Sequence, residues 1–163
     1  MKIIRPYHRV PAIKVESWPE IKDQALKLRD FIKNARFEGY YNRAYSLSHA
    51  YVSCKPKDFF VINEDIPNKQ GRNDFLKKVF GHWCIINAKI IKQSVPTPFE
   101  DGCFFFPFRK PKKVERFYYV VAEYYVPFWF GTLRRKVKQL EGVPAFMMQH
   151  ECEHSRGESV YDN

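Results

Sequence analysis

The stretch MMQHECEHSRG, Met147 to Gly157, constrains this chain more than any other. Along a helix each residue advances about 100° and 1.5 Å, so His150 and His154 fall one turn apart on nearly one face. Two imidazoles so placed can grip one divalent ion. Glu151, about 100° round from His150, can reach a water on that ion. A catalytic site of this kind needs a third protein ligand and an open position. The fold must therefore bring another segment to this helix.

That segment does not come from downstream. In the version H-E-x-x-H-x-x-G-x-x-H the last histidine would fall on Val160. Only nine residues follow His154, and the acids among them, Glu158 and Asp162, stand too near the helix end to swing back. Upstream, three places offer a ligand. His82 and Cys84 flank Trp83 in a strand and share a face by alternation. Cys54 lies in a basic loop, SCKPK. Cys103 follows Glu100-Asp101-Gly102, on a turn where glycine lets the backbone approach another group. A thiolate there would lose its proton on binding a cation. Spacing and local chemistry favour Cys103 and leave the other two open.

The remaining pattern places these residues. SWPEI reads as a helix start, with Ser17 as cap, Pro19 in the first turn and Glu20 completing S-x-x-E. Ile21, Ala25, Leu28, Ile32 and Ala35 then recur at helical spacing. DFFVIN, HWCIINAKII and ERFYYVVAEYYV read as strands, the last a single long one. EDIPNKQGRND is a turn-rich connection. SVPTPFEDGC, with two prolines and a glycine, reads as a loop, and RKPKKVER as a charged connection. TLRRKVKQ suits an edge strand, where lysine and arginine discourage further pairing. Gly142 ends it, Pro144 opens the last helix, and Gly157 stops that helix. Helix, strands, then helix predicts an α+β fold, with antiparallel sheets around one central helix.

At 163 residues, 45% of them hydrophobic, the chain is expected to form a single domain over 1–163 with a true core. The formal charge is +10, so anionic partners such as RNA suit its surface. No run is long and apolar enough to span a bilayer. The start, MKIIRPYHRV, does not read as a signal peptide. Four cysteines in a chain of this size do not form a disulfide scaffold. A reducing cytoplasm, no membrane partner and a monomeric state are expected.

The residues resemble the peptide deformylases. The family's third block, roughly G-L-x-A-x-x-x-Q-H-E-x-D-H-L-x-G, is matched without a gap by GVPAFMMQHECEHSRG, Gly142 to Gly157. Its second block, E-G-C-L-S, is matched by DGCFF, Asp101 to Phe105. A family strand, I-N-P-x-I, is matched by INAKI, Ile86 to Ile90. The first block, G-L-A-A-x-Q-V-G, departs: SLSHAYVS, Ser46 to Ser53, keeps Leu47 and Val52, but Ser46 stands for the glycine and Tyr51 for the glutamine. Ser155 replaces the third block's leucine. The short ending is similar to that of compact and phage-encoded members, which implies a host cytoplasm if the source is a phage.

The resemblance implies removal of the formyl group from N-terminal formyl-methionine of nascent peptides. It implies Cys103, His150 and His154 as ligands of one divalent ion, Fe²⁺ natively, with Zn²⁺ or Ni²⁺ able to replace it. Glu151 is implied as general base and then acid. The backbone N–H of Phe104 is implied as a donor to the oxygen that gains charge. Tyr51, in the place of the family glutamine, is expected to donate there through its hydroxyl. Ser46, Leu47, Phe105, Phe146 and Met147 are implied on the substrate side, with at least one of the last two also serving the helix core. Two other readings stay open. One is a metallo-amidase of the same fold with another acyl specificity, suggested by the altered first block. The other is a catalytically impaired relative that contacts RNA or the ribosome through RKPKKVER and LRRKVK.

Overall fold

The structure is a computed structural model that describes residues 10–34, 44–67, 70–103, 106 and 108–162. Apolar spacing governs its first helix. α1 (Lys22–Asn34) buries Ala25, Leu28 and Ile32 along one stripe. It begins later than the capping pattern predicts, because residues 18–21 form a turn in which Trp18 O accepts from the amides of both Ile21 and Lys22. Ala35, the last residue of the predicted stripe, lies outside the described residues.

Seven strands follow among the described residues. β1 (Ser46–Ser48) runs into a 3₁₀ turn at His49–Tyr51, and β2 (Phe59–Ile62) pairs antiparallel with it. A short helix, α2 (Phe75–Phe80), follows the turn-rich connection, and Gly81 ends it in the left-handed region at φ 78°. β3 (Cys84–Gln93) continues the sheet. Its ladder shifts register after Ile86, next to Asn87 at φ 49°. Asn87 uses that irregularity: its amide donates to Val15 O and accepts from Val15 N, at 2.7 and 2.9 Å, pinning the N-terminal segment to the sheet.

Three sequence expectations are corrected here. SVPTPFEDGC is largely a strand, β4 (Pro96–Asp101), not a loop, and it pairs with β5 (Lys112–Phe117), taken from the sequence as a charged connection. Prolines are tolerated because a two-stranded ribbon has an open side that needs no amide. The long aromatic run is not one strand either. It breaks at Tyr118, between β5 and β6 (Tyr119–Pro127), where the chain passes from the two-stranded sheet to the five-stranded one. Gln149 holds the break: its side chain accepts from Phe117 N and donates to Phe117 O, each at 2.9 Å.

The five-stranded antiparallel sheet has the order β1-β2-β3-β6-β7, with β7 (Leu133–Glu141) at the edge as its cationic pattern predicts. α3 (Val143–Ser155) packs against β1, β3, β5, β6 and β7. It buries Met147 through His154 without interruption, polar residues included. A helix buried on every side has no solvent face and loses the usual amphipathic stripe. Its first residues follow Gly142, at φ 61°, and Pro144 sits in its first turn. Among the described residues no helix is long and apolar enough to cross a membrane.

Candidate metal centre

Three of the predicted ligands meet. The ligand atoms of Cys103, His150 and His154 lie within 4.8 Å of one another, all buried. His150 Nε2 and His154 Nε2 are 3.0 Å apart, and Cys103 Sγ is 3.6 Å from His154 Nε2. The other nitrogen of each ring fixes its tautomer. His154 Nδ1 donates to Glu158 O at 3.0 Å, and His150 Nδ1 donates to Asp101 Oδ2 at 3.1 Å. Both Nε2 atoms then carry lone pairs that face each other beside a thiol. Facing lone pairs at that separation repel unless a cation or proton lies between them. A sulfur with two imidazole nitrogens is a donor set suited to Zn²⁺ or Fe²⁺. The residues present therefore fit one divalent ion.

The other upstream candidates do not join this cluster. His82 Nδ1 accepts from Cys84 N at 3.0 Å, a local turn contact. Cys84 is fully buried in the core, and burial pushes its thiol well above the ordinary range. Cys54 is exposed.

A buried ionic network stands behind the ligands, and sequence reasoning missed its centre. Arg116, on β5, is 5% exposed. Its guanidinium donates to Asp101 Oδ2 at 2.6 and 3.0 Å and to both carboxylate oxygens of Glu153. Burial alone would raise the Asp101 carboxyl, but the hydrogen bonds and charges of His150 and Arg116 hold it down at about 2. Asp101 thus stays anionic and orients the His150 ring, the carboxylate–histidine arrangement that steadies metal ligands. The signal lay in the charge itself. Two acids of the matched blocks, Asp101 and Glu153, had no cation assigned, and buried acids demand one.

Glu151 is 2% exposed. Its Oε1 accepts from Ser46 Oγ at 2.5 Å, while Oε2 is buried and has no hydrogen-bond partner among the described residues. Burial pushes its carboxyl up to about 7, against the lowering effects of His150 and the Ser46 hydroxyl. A carboxyl near neutrality can take and return a proton at ordinary pH. Tyr51, 1% exposed, places its hydroxyl 3.2 Å from Cys103 Sγ and 3.1 Å from His154 Nε2.

A cleft of about 270 Å³ opens onto this group. Ser46, Tyr51, Phe146, Met147, His150 and Glu151 line it, with Phe99 opposite. Phe99 and Phe146 pack ring to ring at 4.2 Å. Leu47, 1% exposed, belongs to the core and is not among the lining residues, because alternation along β1 turns it away from its neighbour Ser46. Phe104 and Phe105 lie outside the described residues.

Comparison with known proteins adds a second line of observation. A family model described as polypeptide deformylase matches residues 5–163. Among solved structures, the chain is similar to Arabidopsis thaliana peptide deformylase 1B in complex with an inhibitor, with a TM-score of 0.71 at 22% identity over 99% of this chain and 80% of that one. An inhibitor complex of Plasmodium falciparum peptide deformylase gives 0.71 at 25% identity, over 99% and 87%. Thermotoga maritima peptide deformylase gives 0.71 at 20% identity, over 99% and 95%. No curated protein matches.

Proposed function

The chain belongs to the polypeptide deformylase family, and from that premise we propose that it removes the formyl group from N-terminal formyl-methionine through Cys103, His150, His154 and Glu151. The observation that carries this reading is the pair of imidazole Nε2 atoms 3.0 Å apart beside a buried sulfur, in a cleft that also takes in Glu151, whose buried Oε2 has no hydrogen-bond partner among the described residues.

Cys103, His150 and His154 hold the ion, Fe²⁺ in the cell, with Zn²⁺ or Ni²⁺ as replacements in purified protein. Held there, a divalent ion supplies Lewis acidity that acidifies water and polarises a carbonyl. The remaining work belongs to side chains. Glu151 Oε2 takes the proton from water and returns it to the leaving amine. The Ser46 hydroxyl occupies Oε1, so the oxygen left to move protons is Oε2. The Tyr51 hydroxyl donates to the oxygen that gains charge, as does the backbone N–H of Phe104, a role that rests on the family resemblance. Phe99, Phe146 and Met147 offer an apolar wall to the methionine side chain. The substrates are nascent formyl-methionyl peptides in the cytoplasm, and the basic strands β5 and β7 suit contact with ribosomal RNA.

Anaerobically purified protein should carry about one divalent ion per chain and hydrolyse formyl-Met-Ala while sparing acetyl-Met-Ala. Comparable rates on both would replace this reading with a broader metallo-amidase. Protein that binds RNA in a salt-sensitive way, without metal or turnover, would replace it with a binding module.

A further inference from the structure

The connection between β6 and β7 carries three aromatic residues in a row, Phe128, Trp129 and Phe130, which are 45%, 72% and 99% exposed. A contiguous apolar patch held in water marks a contact surface. The fold fixes this one firmly. Phe128 N donates to Thr132 O at 2.9 Å, the Thr132 hydroxyl donates to Trp129 O at 2.7 Å, and Trp18 N donates to Gly131 O at 3.1 Å. Pro19 props the turn so closely that a Cβ on Gly131 would meet its ring at 3.0 Å. Phe130 itself sits in the left-handed region, at φ 53° and ψ 29°, where a bulky L-residue is strained. That strain aims a whole aromatic ring at solvent, and no packing among the described residues offsets it.

The surroundings of the tip are cationic. Phe128 and Trp129 stack, with centroids 6.0 Å apart and 23° between planes, and the Arg134 guanidinium lies 5.2 Å over Phe128. Arg134 and Lys136 share one face of β7 by alternation, and among the described residues neither forms an ion pair with a carboxylate. Arg135, on the opposite face, is held by Glu123. Open aromatic rings beside unmatched cations fit a flexible polyanion whose own flat rings are free to stack. A lipid surface fits less well, because seating these rings in hydrocarbon would carry the Arg134 charge in with them.

We infer that this tip binds single-stranded nucleic acid, with an unpaired base stacked on Trp129 and Phe130 and its phosphates beside Arg134 and Lys136. The inference goes beyond the deformylase reading and does not rest on it. The two sites are also compatible in space. The tip stands at the Pro127 end of β6, roughly 25 Å along the strand from Tyr119, whose end adjoins the first turn of α3 and the cleft. A bound strand therefore leaves the cleft open.

The test titrates the intact protein into fluorescein-labelled oligoadenylate and oligodeoxyadenylate, followed by anisotropy between about 50 and 200 mM salt. Single strands should bind more tightly than a duplex of equal length, and the preferred sugar identifies the natural strand. Trp129→Ala should weaken binding about 5- to 150-fold, the range for removing one ring on which a base stacks, with thermal unfolding and formyl-Met-Ala hydrolysis unchanged. Arg134→Gln should reduce the slope of log affinity against log salt by about 0.7, as expected for one phosphate on a single strand. Equal affinity in wild type and Trp129→Ala, or a duplex bound as tightly as a single strand, would overturn the inference by assigning the contact to charge alone. Binding to vesicles of phosphatidylcholine and phosphatidylglycerol, with no affinity for either oligonucleotide, would overturn it in favour of a membrane contact. The two readings fail separately: strand binding without turnover removes the deformylase activity, and turnover without strand binding removes only this site.

Discussion

The two walls of the cleft are built on different terms. On the wall formed by α3 and β4–β5, nearly every polar group that touches the centre is backed by another. His150 rests on Asp101, Asp101 on Arg116, Arg116 on Glu153, and His154 on the Glu158 carbonyl. On the wall formed by β1 and its 3₁₀ turn, Ser46 and Tyr51 reach into the centre through neutral hydroxyls rather than through a salt-bridged chain. On the backed wall the ligands keep the family's residues, and the acids behind them keep its charges. On the unbacked wall two polar positions that face the centre, Ser46 and Tyr51, depart from the pattern. A ligand held by a buried ionic network cannot change alone, whereas a side chain reaching from a strand end can be exchanged at little structural cost. Retention of the ion and choice of chemistry are thereby assigned to different walls.

The largest test of that division is Glu151→Gln. Turnover on formyl-Met-peptide should fall by about 10²–10⁴-fold, the range for loss of a general acid–base group. Metal content should stay at the wild-type level. Native turnover in this variant would move the proton carrier to the other wall. Next is Arg116→Met, which strands two buried carboxylates and should cost roughly 3–5 kcal/mol in urea unfolding. Adding Glu153→Gln should recover part of that loss. An unchanged midpoint would mean that the backed wall is not held by its ion pairs.

Ser46→Gly restores the family's residue on the unbacked wall. It should leave folding intact and lower kcat about tenfold with KM unchanged, as expected for one hydrogen bond of about 1.5 kcal/mol to a charged group. An equal loss under Arg116→Met and Ser46→Gly in both stability and rate would erase the distinction between the walls. The smallest effect calibrates the scale at a distance from both. Glu64, 3% exposed, is held at about 2: burial raises its carboxyl, but Arg29, Lys77 and Lys33 outweigh it. A depressed carboxyl stabilises the fold above its ordinary value near 4.5 and loses that contribution as pH falls toward 2. Since its partners are partly exposed, the loss should be about 1 kcal/mol, absent in Glu64→Gln, and visible in the acid limb of thermal unfolding.

Much of this arrangement is legible in the chain. The spacing of His150 and His154 places both rings on a helix face, and the elimination of downstream ligands leads upstream toward Cys103. Runs of aromatic and β-branched residues mark β2 and β3, and the cationic run marks β7 as an edge. What escaped notice has a common cause: pairing between segments leaves little local trace. Pro96 and Pro98 look like loop residues unless β5 is known to lie on one side only. Tyr118 looks like mid-strand until the Gln149 side chain is seen capturing Phe117. Arg116 looks like solvent-facing charge until Asp101 and Glu153 arrive from 15 and 37 residues away.

The guanidinium of Arg116 has a consequence for how such a chain can diverge. Replacing Arg116 leaves two buried carboxylates without their cation, so it is bound to change together with Asp101 and Glu153 or not at all. Ser46 and Tyr51 carry no such debt. Drift in this lineage is therefore channelled toward the strand-end wall, and new reactivity would enter there while the ion's cradle is inherited whole.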